Sequence, residues 1–282
     1  MKRIFRLLFL GTFLFIVNSC AQENQKKEVF LFTSFHEPAT EGLRFLYSED
    51  GYKWDSIPGV WLKPEIGTEK IMRDPSIIKG TDNTYHLVWT TNWKGGSGFG
   101  YASSKDLIHW SEQKMIPAMK DEPTAVNVWA PEIFYDDNKQ EYLIIWASCI
   151  PGRFDKGHED ENNNHRLYYL TTKDFNTFSK TKLYFDPGFS AIDAILVKKS
   201  QNDYVLVFKD NTRLNRNLRV AFSHTPTGPF FNISKPFTEE YSEGPAVTKV
   251  GQDYLIYYDL YRKKIYGAEK TSDFIHFENI TK

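Results

Sequence analysis

Met72-Arg73-Asp74-Pro75-Ser76-Ile77-Ile78 decides how this chain is read, because a similar short pattern returns three times further on. The returns are Ala130-Pro131-Glu132-Ile133-Phe134, Ala191-Ile192-Asp193-Ala194-Ile195 and Ser242-Glu243-Gly244-Pro245-Ala246, each with a carboxylate at or next to the matching place. A polar turn follows each one, and then an aromatic-rich run: Tyr85 to Trp89, Tyr142 to Trp146, Tyr204 to Phe208 and Tyr254 to Tyr258. The carboxylate precedes the tyrosine that opens this run by 11, 10, 11 and 11 residues. Runs rich in Val, Ile, Tyr, Phe and Trp and bounded by turn residues read as β-strands. No long amphipathic helical pattern interrupts them.

A second element recurs with them. Leu43 to Trp54 and Gly100 to Trp110 each read as a strand, a Ser-containing turn with Asp, and a closing aromatic, and three further copies end at Phe178, Phe230 and Phe277. The closing aromatics step by 56, 68, 52 and 47 residues, which is the period of a propeller blade of about four strands. Five copies predict an all-β, five-bladed β-propeller. The carboxylate and aromatic runs are then the first and second strands of a blade, and the turn element joins the third to the fourth. Blade I lacks a carboxylate strand, since Val29 to Phe35 matches an aromatic run, and the other terminus is a candidate to complete it. The long step of 68 comes from Pro151 to Asn164, a polar insertion expected as a solvated loop rather than a lid near the substrate.

Net charge is −1 with both signs interspersed, so no basic face for nucleic acid is expected. Residues 1–20 read as a signal peptide: Lys2, Arg3 and Arg6, an apolar core, then Val17-Asn18-Ser19-Cys20. The last four resemble a bacterial lipoprotein box, which makes Cys20 the expected lipid-bearing residue. Residues 21–28 form a short tether and 29–282 the propeller. The expected location is the periplasm or outer membrane as a lipoprotein, with membrane contact only through Cys20, or otherwise secretion. With Cys20 lipidated, Cys149 has no partner and reads as a buried passive thiol. The chain is expected as a monomer.

The innermost strand of each blade lines the propeller axis, so residues opening that strand crowd one mouth. Pro75, Pro131 and Pro245 flank their carboxylates, and proline is tolerated at strand starts rather than centres. Asp74, Glu132, Asp193 and Glu243 should therefore converge. Singly, each has a blander reading: Asp74 before Pro75 suits an Asx-type turn, Glu243 before Gly-Pro a solvated turn, and Glu132 a structural hydrogen-bonder. Asp193 lies between Ile192 and Ala194, where an acid is seldom buried without a partner. Jointly they bring like charges together, which raises the pKa of at least one and is usually tolerated only at functional sites. Paired carboxylates in a small concavity suit glycoside hydrolysis, and a third acid can keep the donor protonated. Trp93, Trp129 and Tyr258 are candidates to stack on sugar faces, with Trp129 foremost.

Arg73-Asp74-Pro75, Trp129-Ala130-Pro131-Glu132, Ile192-Asp193 and Glu243-Gly244-Pro245, in this order from about Val29 onward, resemble glycoside hydrolase family 43. The resemblance implies a five-bladed propeller and an inverting mechanism. It makes Asp74 the general base, Glu243 the general acid and Asp193 the modulator of the acid's pKa and orientation. Arg73, Glu132, Trp93 and Trp129 are the expected substrate contacts. The implied substrates are arabinose- and xylose-containing plant polysaccharides or oligosaccharides, with galactose-specific branches as the alternative. No cofactor is required. Some members place a histidine near a central calcium ion on the inner strand that blade I lacks, so no metal ligand is assigned. The Asp193 segment departs from the family in reading Ile-Asp-Ala. Ser48 to Trp54 also approximates the turn of a sialidase-like propeller, but only this copy has the glycine and no repeated arginines open the inner strands. A non-catalytic glycan-binding propeller has no need of base, acid and modulator together.

Overall fold

The computed structural model describes residues 29–155 and 158–281. The signal peptide, Cys20 and the tether of residues 21–28 lie outside the described residues. Five separate antiparallel sheets follow one another along the chain. Blade I holds β1 (Phe30–Ser34), β2 (Leu43–Ser48) and β3 (Asp55–Leu62). Blade II holds β4 (Arg73–Lys79), β5 (Tyr85–Thr90), β6 (Phe99–Ser104) and β7 (Lys114–Ile116). Blade III is β8 (Trp129–Asp136), β9 (Glu141–Ser148), β10 (Arg166–Thr172) and β11 (Lys182–Phe185), and blade IV is β12 (Ala191–Ser200), β13 (Asp203–Asp210) and β14 (Asn217–Ser223). Blade V is β15 (Ser242–Val250), β16 (Asp253–Leu260), β17 (Ile265–Thr271) and β18 (Glu278–Asn279). The sheets and their order match the five-bladed propeller expected from the repeats.

In blades II to V the second strand is largely apolar without alternation because both of its faces are covered. In β9, Tyr142, Ile144 and Trp146 pack with Val88, Phe99 and Ile133 on the blade II side. Leu143, Ile145 and Ala147 point the other way, to Leu196, Leu206 and Phe208 of blade IV. Successive strand residues face opposite ways, so a strand sandwiched between two neighbours must be apolar at every position. Each large side chain buried this way contributes about 1.5–3 kcal/mol. The joint between blades V and I is aromatic: Tyr257 stands edge-on to Trp54 at 5.6 Å, and its hydroxyl donates to the Gly51 carbonyl.

The Ser/Thr-x-Asp turns close the third strands by one repeated scheme. Ser104 Oγ accepts from Leu107 N at 2.8 Å, and Asp106 Oδ1 accepts from Ile108 N and His109 N at 2.9 and 2.8 Å. Thr172 with Asp174 and Thr271 with Asp273 repeat it. The residue after Asp is left-handed in each, at Gly51, Leu107, Phe175 and Phe274. Only Gly adopts that conformation freely, and other residues lose about 1–2 kcal/mol. Phe175 and Phe274 offset this by burying their rings.

Glycine is required where a third strand passes an aromatic ring of the second. Gly100 pairs with Trp89 and Gly267 with Tyr258, and a Cβ on Gly100 would meet Trp89 Cε2 at 2.1 Å. Because Trp89 is fully buried and has nowhere to move, Gly100→Ala is expected to cost about 1–3 kcal/mol. A urea titration checks this as a lowered midpoint with an unchanged slope.

Blade I departs from the other four. The strand before its Ser48 turn is β2, so β2 is a third strand and β1 a second strand. Among the described residues nothing occupies the innermost place. The C-terminal β18 pairs with β17 as the outermost strand of blade V, so it does not complete blade I. β1 instead faces the axis directly, where Thr33 Oγ1 donates to the Pro75 carbonyl at 2.5 Å.

Candidate active site

All four inner strands break register just after they begin: between Arg73 and Ser76, Trp129 and Glu132, Ile192 and Ile195, and Glu243 and Ala246. One residue in each break is left-handed, namely Asp74 (φ 48°), Ala130 (46°), Asp193 (48°) and Gly244 (59°). These are β-bulges, which bend the strand and re-aim a side chain. Asp74 and Asp193 therefore hold the same place in their blades. Glu243 stands one residue before its bulge position and Glu132 two residues after. The four carboxylates still line one cavity of about 400 Å³, with Arg73 at its wall. That volume suits a small ligand.

Asp74 accepts from Thr90 Oγ1 at 3.2 Å, and the same hydroxyl accepts from Ala130 N at 2.8 Å, which ties blade II to blade III at the mouth. Burial raises the Asp74 pKa; Arg73 opposes the rise and the Glu243 charge adds to it. Asp193 Oδ2 accepts from Gly244 N at 3.2 Å, so this carboxylate holds the backbone beside Glu243. Its pKa is pushed up to about 7 by burial, with Lys209 opposing and Glu243 and Asp74 adding. Glu132 is likewise pushed up to about 7 by burial, offset in part by Ser76.

Lys209, buried on β13, places Nζ 2.6 Å from Glu243 Oε2 and 5.2 Å from the centre of the Tyr261 ring. Burial works against its charge, but Glu243 and Asp193 outweigh burial and raise its pKa. Asp259 lies opposite Glu243 across β15 and β16. Burial and Glu243 raise its pKa, and Lys209 opposes. Neither residue stands out in the sequence unless the repeat is followed one step further. The residue just after each aromatic run is Thr90, Ala147, Lys209 and Asp259, and it pairs with Arg73, Trp129, Ile192 and Glu243 respectively. Three of the four are polar at the end of an apolar run and meet the bulge.

Trp93 and Trp129 stand behind Arg73. The Arg73 guanidinium lies 4.5 Å from the Trp93 ring centre and 5.3 Å from that of Phe35, and it is ion-paired with Glu37. Trp93 stacks on Trp129 at 4.9 Å, and Trp129 stacks on His165 at the same spacing. Trp129 Nε1 donates to the Trp93 carbonyl at 2.8 Å. Trp129 is thus engaged with two rings and braces the mouth, while Trp93 remains 45% exposed at the rim. Tyr258 reaches the cavity wall, but its hydroxyl is tied to Glu269 at 3.2 Å.

The insertion is open to solvent along most of its described length, as expected of a solvated loop, and it is also fastened at several points. Glu159 is nearly buried and accepts from His165 N, from Asn211 Nδ2 at 2.7 Å and from Ser190 Oγ, with His165 Nδ1 at 2.6 Å. His158 O accepts from Arg213 N at 2.6 Å, Asp160 pairs with Arg216, and Glu161 pairs with Lys94 at 3.5 Å. These contacts join blade III to blades II and IV beside the stack. Cys149 is free and buried, and burial raises its thiol pKa, so it lacks thiolate character. Among the described residues no cluster of three or more His, Cys, Asp or Glu side chains has the arrangement to hold a metal ion.

A five-bladed propeller whose inner strands bring Asp74, Asp193 and Glu243 to one cavity has the architecture of a carboxylate glycosidase. Residues 26–281 match the profile of the glycosyl hydrolase family 43-related group, described as "Probable glycosyl hydrolase domain", and the chain belongs to that family. An α-L-arabinofuranosidase of Bifidobacterium longum subsp. longum is 23% identical over 150 residues, 45% of this chain but only 14% of that protein. Among solved structures, an endo-1,4-β-xylanase from Bacteroides thetaiotaomicron superposes with a TM-score of 0.61 at 15% identity, covering 90% of this chain and 91% of the other. An α-L-arabinofuranosidase from Lactobacillus brevis gives 0.60 at 18% identity over 74% and 72%. An exo-β-1,3-galactanase from Phanerochaete chrysosporium gives 0.54 at 14% over 74% and 49%. At these identities the structural likenesses speak for the fold.

Proposed function

We propose that this chain is an inverting glycoside hydrolase acting on arabinose- or xylose-containing plant oligosaccharides or polysaccharides. Asp74 is the general base, Glu243 the general acid, and Asp193 orients the acid and tunes its proton. Asp74 takes a proton from water as that water attacks the anomeric carbon. The glycosidic bond breaks on the opposite face, and Glu243 gives its proton to the departing oxygen. The carboxylate left on Glu243 is the form that Lys209 pairs with. Every step in this scheme is carried by the chain's own residues. The observation that carries the reading is the convergence of Asp74, Asp193 and Glu243 on one cavity, with a buried cation against the last of them. Two arabinofuranosidases among the relatives favour the pentose reading over a galactose-specific one.

The stereochemical test is an NMR time course with an aryl or oligosaccharide substrate. The first product is expected with the anomeric configuration opposite to that of the substrate, before mutarotation sets in. Early retention would remove Asp74 from the role of a base acting through water. Export with a lipid on Cys20 rests on residues 1–20 alone, and radiolabelled palmitate incorporation lost in Cys20→Ala is its test.

A further inference from the structure

On the side of blades II to IV, Arg73 in the cavity wall is backed by Trp93, which stacks on Trp129 and through it on His165. Between blades V and I the wall is built differently, because β1 stands where the other blades present an inner strand. Blade V offers an ordered row there: Glu243 pairs with Asp259, and Asp259 pairs with Tyr266, across β15, β16 and β17. Directly opposed residues share a face of the sheet, and neighbouring strands are about 4.8 Å apart, so the row runs about 10 Å outward from Glu243. All three residues line the cavity, and Phe32 and Thr33 of β1 face them. Tyr266 meets Phe32 edge-on at 6.2 Å yet is 56% exposed. A large aromatic that meets one other ring edge-on and is more than half open to solvent, inside a cavity, presents a ring face to it.

We propose that the cleft between blades V and I is the subsite for the leaving-group sugar, with Tyr266 as its stacking platform and Asp259 as its hydrogen-bonding wall. The inference rests on the hydrolase reading above. The general acid must stand beside the glycosidic oxygen, so the departing residue lies on the acid's side of the cavity. The row leads from Glu243 to an exposed ring on that side, within the same cavity. A ring platform with one carboxylate suits a neutral sugar residue with hydroxyl groups to donate, such as the next pentose of an oligosaccharide.

The test compares substrates that differ only in what leaves. For wild type, Tyr266→Ala and Tyr266→Phe, kcat/KM is measured on xylobiose against β-D-xylosyl fluoride, and on an arabinobiose against α-L-arabinofuranosyl fluoride. Fluoride leaves nothing for the cleft to hold. In Tyr266→Ala the disaccharide-to-fluoride ratio is expected to fall about tenfold, the effect of losing one aromatic contact, and to do so through KM. Tyr266→Phe should restore the ratio to within about twofold, since the ring rather than the hydroxyl stacks. An unchanged ratio in an active Tyr266→Ala enzyme, or equal losses on both substrates at an unaltered Tm, overturns the subsite and leaves the hydrolase reading standing. A wild-type enzyme inactive on all four substrates overturns the pentosidase reading, and the subsite with it.

Discussion

Glu243→Gln is expected to lose about 10³–10⁴ in kcat on a substrate whose leaving group is a sugar alcohol, and to recover most of that loss on a nitrophenyl glycoside of the same sugar. The reason lies in the departing oxygen. An alkoxide needs the acid's proton to leave, whereas a nitrophenolate departs without it. Asp74→Asn is expected to be crippled on both substrates, because the attacking water loses its base whatever leaves. The pH profile carries a matching sign. A base works only when ionised, and burial together with the Glu243 charge raises the Asp74 pKa. Activity should therefore fail, as pH drops, at a value above the ordinary aspartate range near 3.9. Steady-state kinetics of both variants on both substrates decide the matter. If the two respond alike to the better leaving group, the roles of acid and base assigned here are wrong.

Much of this geometry could be read before any coordinates, and what was hidden was hidden for physical reasons. The repeats carried the blades because a strand covered on both faces must be apolar throughout, and Tyr142 to Trp146 and Tyr204 to Phe208 show that as unbroken runs. Prolines beside Asp74, Glu132 and Glu243 marked strand starts, and strand starts meet at the mouth. The bulges were not legible, since a register break is a property of pairing between strands. Near-equal spacing from carboxylate to tyrosine therefore concealed that Asp74 and Asp193 sit at the bulge while Glu132 and Glu243 sit beside it. Lys209 and Asp259 are inconspicuous in the sequence because the end of an apolar run looks like the end of a strand, although they lie within β13 and β16 respectively. The insertion around Glu159 reads as solvated because its composition is polar. Its fastening depends on donors brought from His165, Ser190 and Asn211, the last 52 residues away. Trp129 belongs to the same class, since its neighbours Trp93 and His165 are assembled only by the fold.

Lys209→Met is expected to lower kcat by about 10²–10³ while leaving the propeller folded, a larger effect than any residue outside the three carboxylates. Lys209 is a positioning residue, because in the scheme above it acts through Glu243 rather than on the substrate. Its ammonium is the buried cation nearest the acid, 2.6 Å from Oε2, and it is the largest influence opposing the rise in the Asp193 pKa. Removing it does two things that a merely structural lysine would not. Glu243 loses the contact that fixes its rotamer, so proton delivery to the departing oxygen is misaligned. Asp193, already pushed up to about 7, is driven higher, because burial and the Glu243 and Asp74 charges then act on it unopposed. The sign follows directly. A carboxyl with a raised pKa ionises later as pH rises, so whatever step depends on the Asp193 charge is reached only at more alkaline pH. The kcat profile of Lys209→Met should therefore shift upward in pH as well as fall in height, and Lys209→Arg should restore the position of the profile better than its height. Because Glu243 keeps about a third of its side chain open to solvent, water takes up part of the lost pairing and Tm should drop only modestly. A variant with reduced kcat and an unmoved profile would assign Lys209 to packing alone.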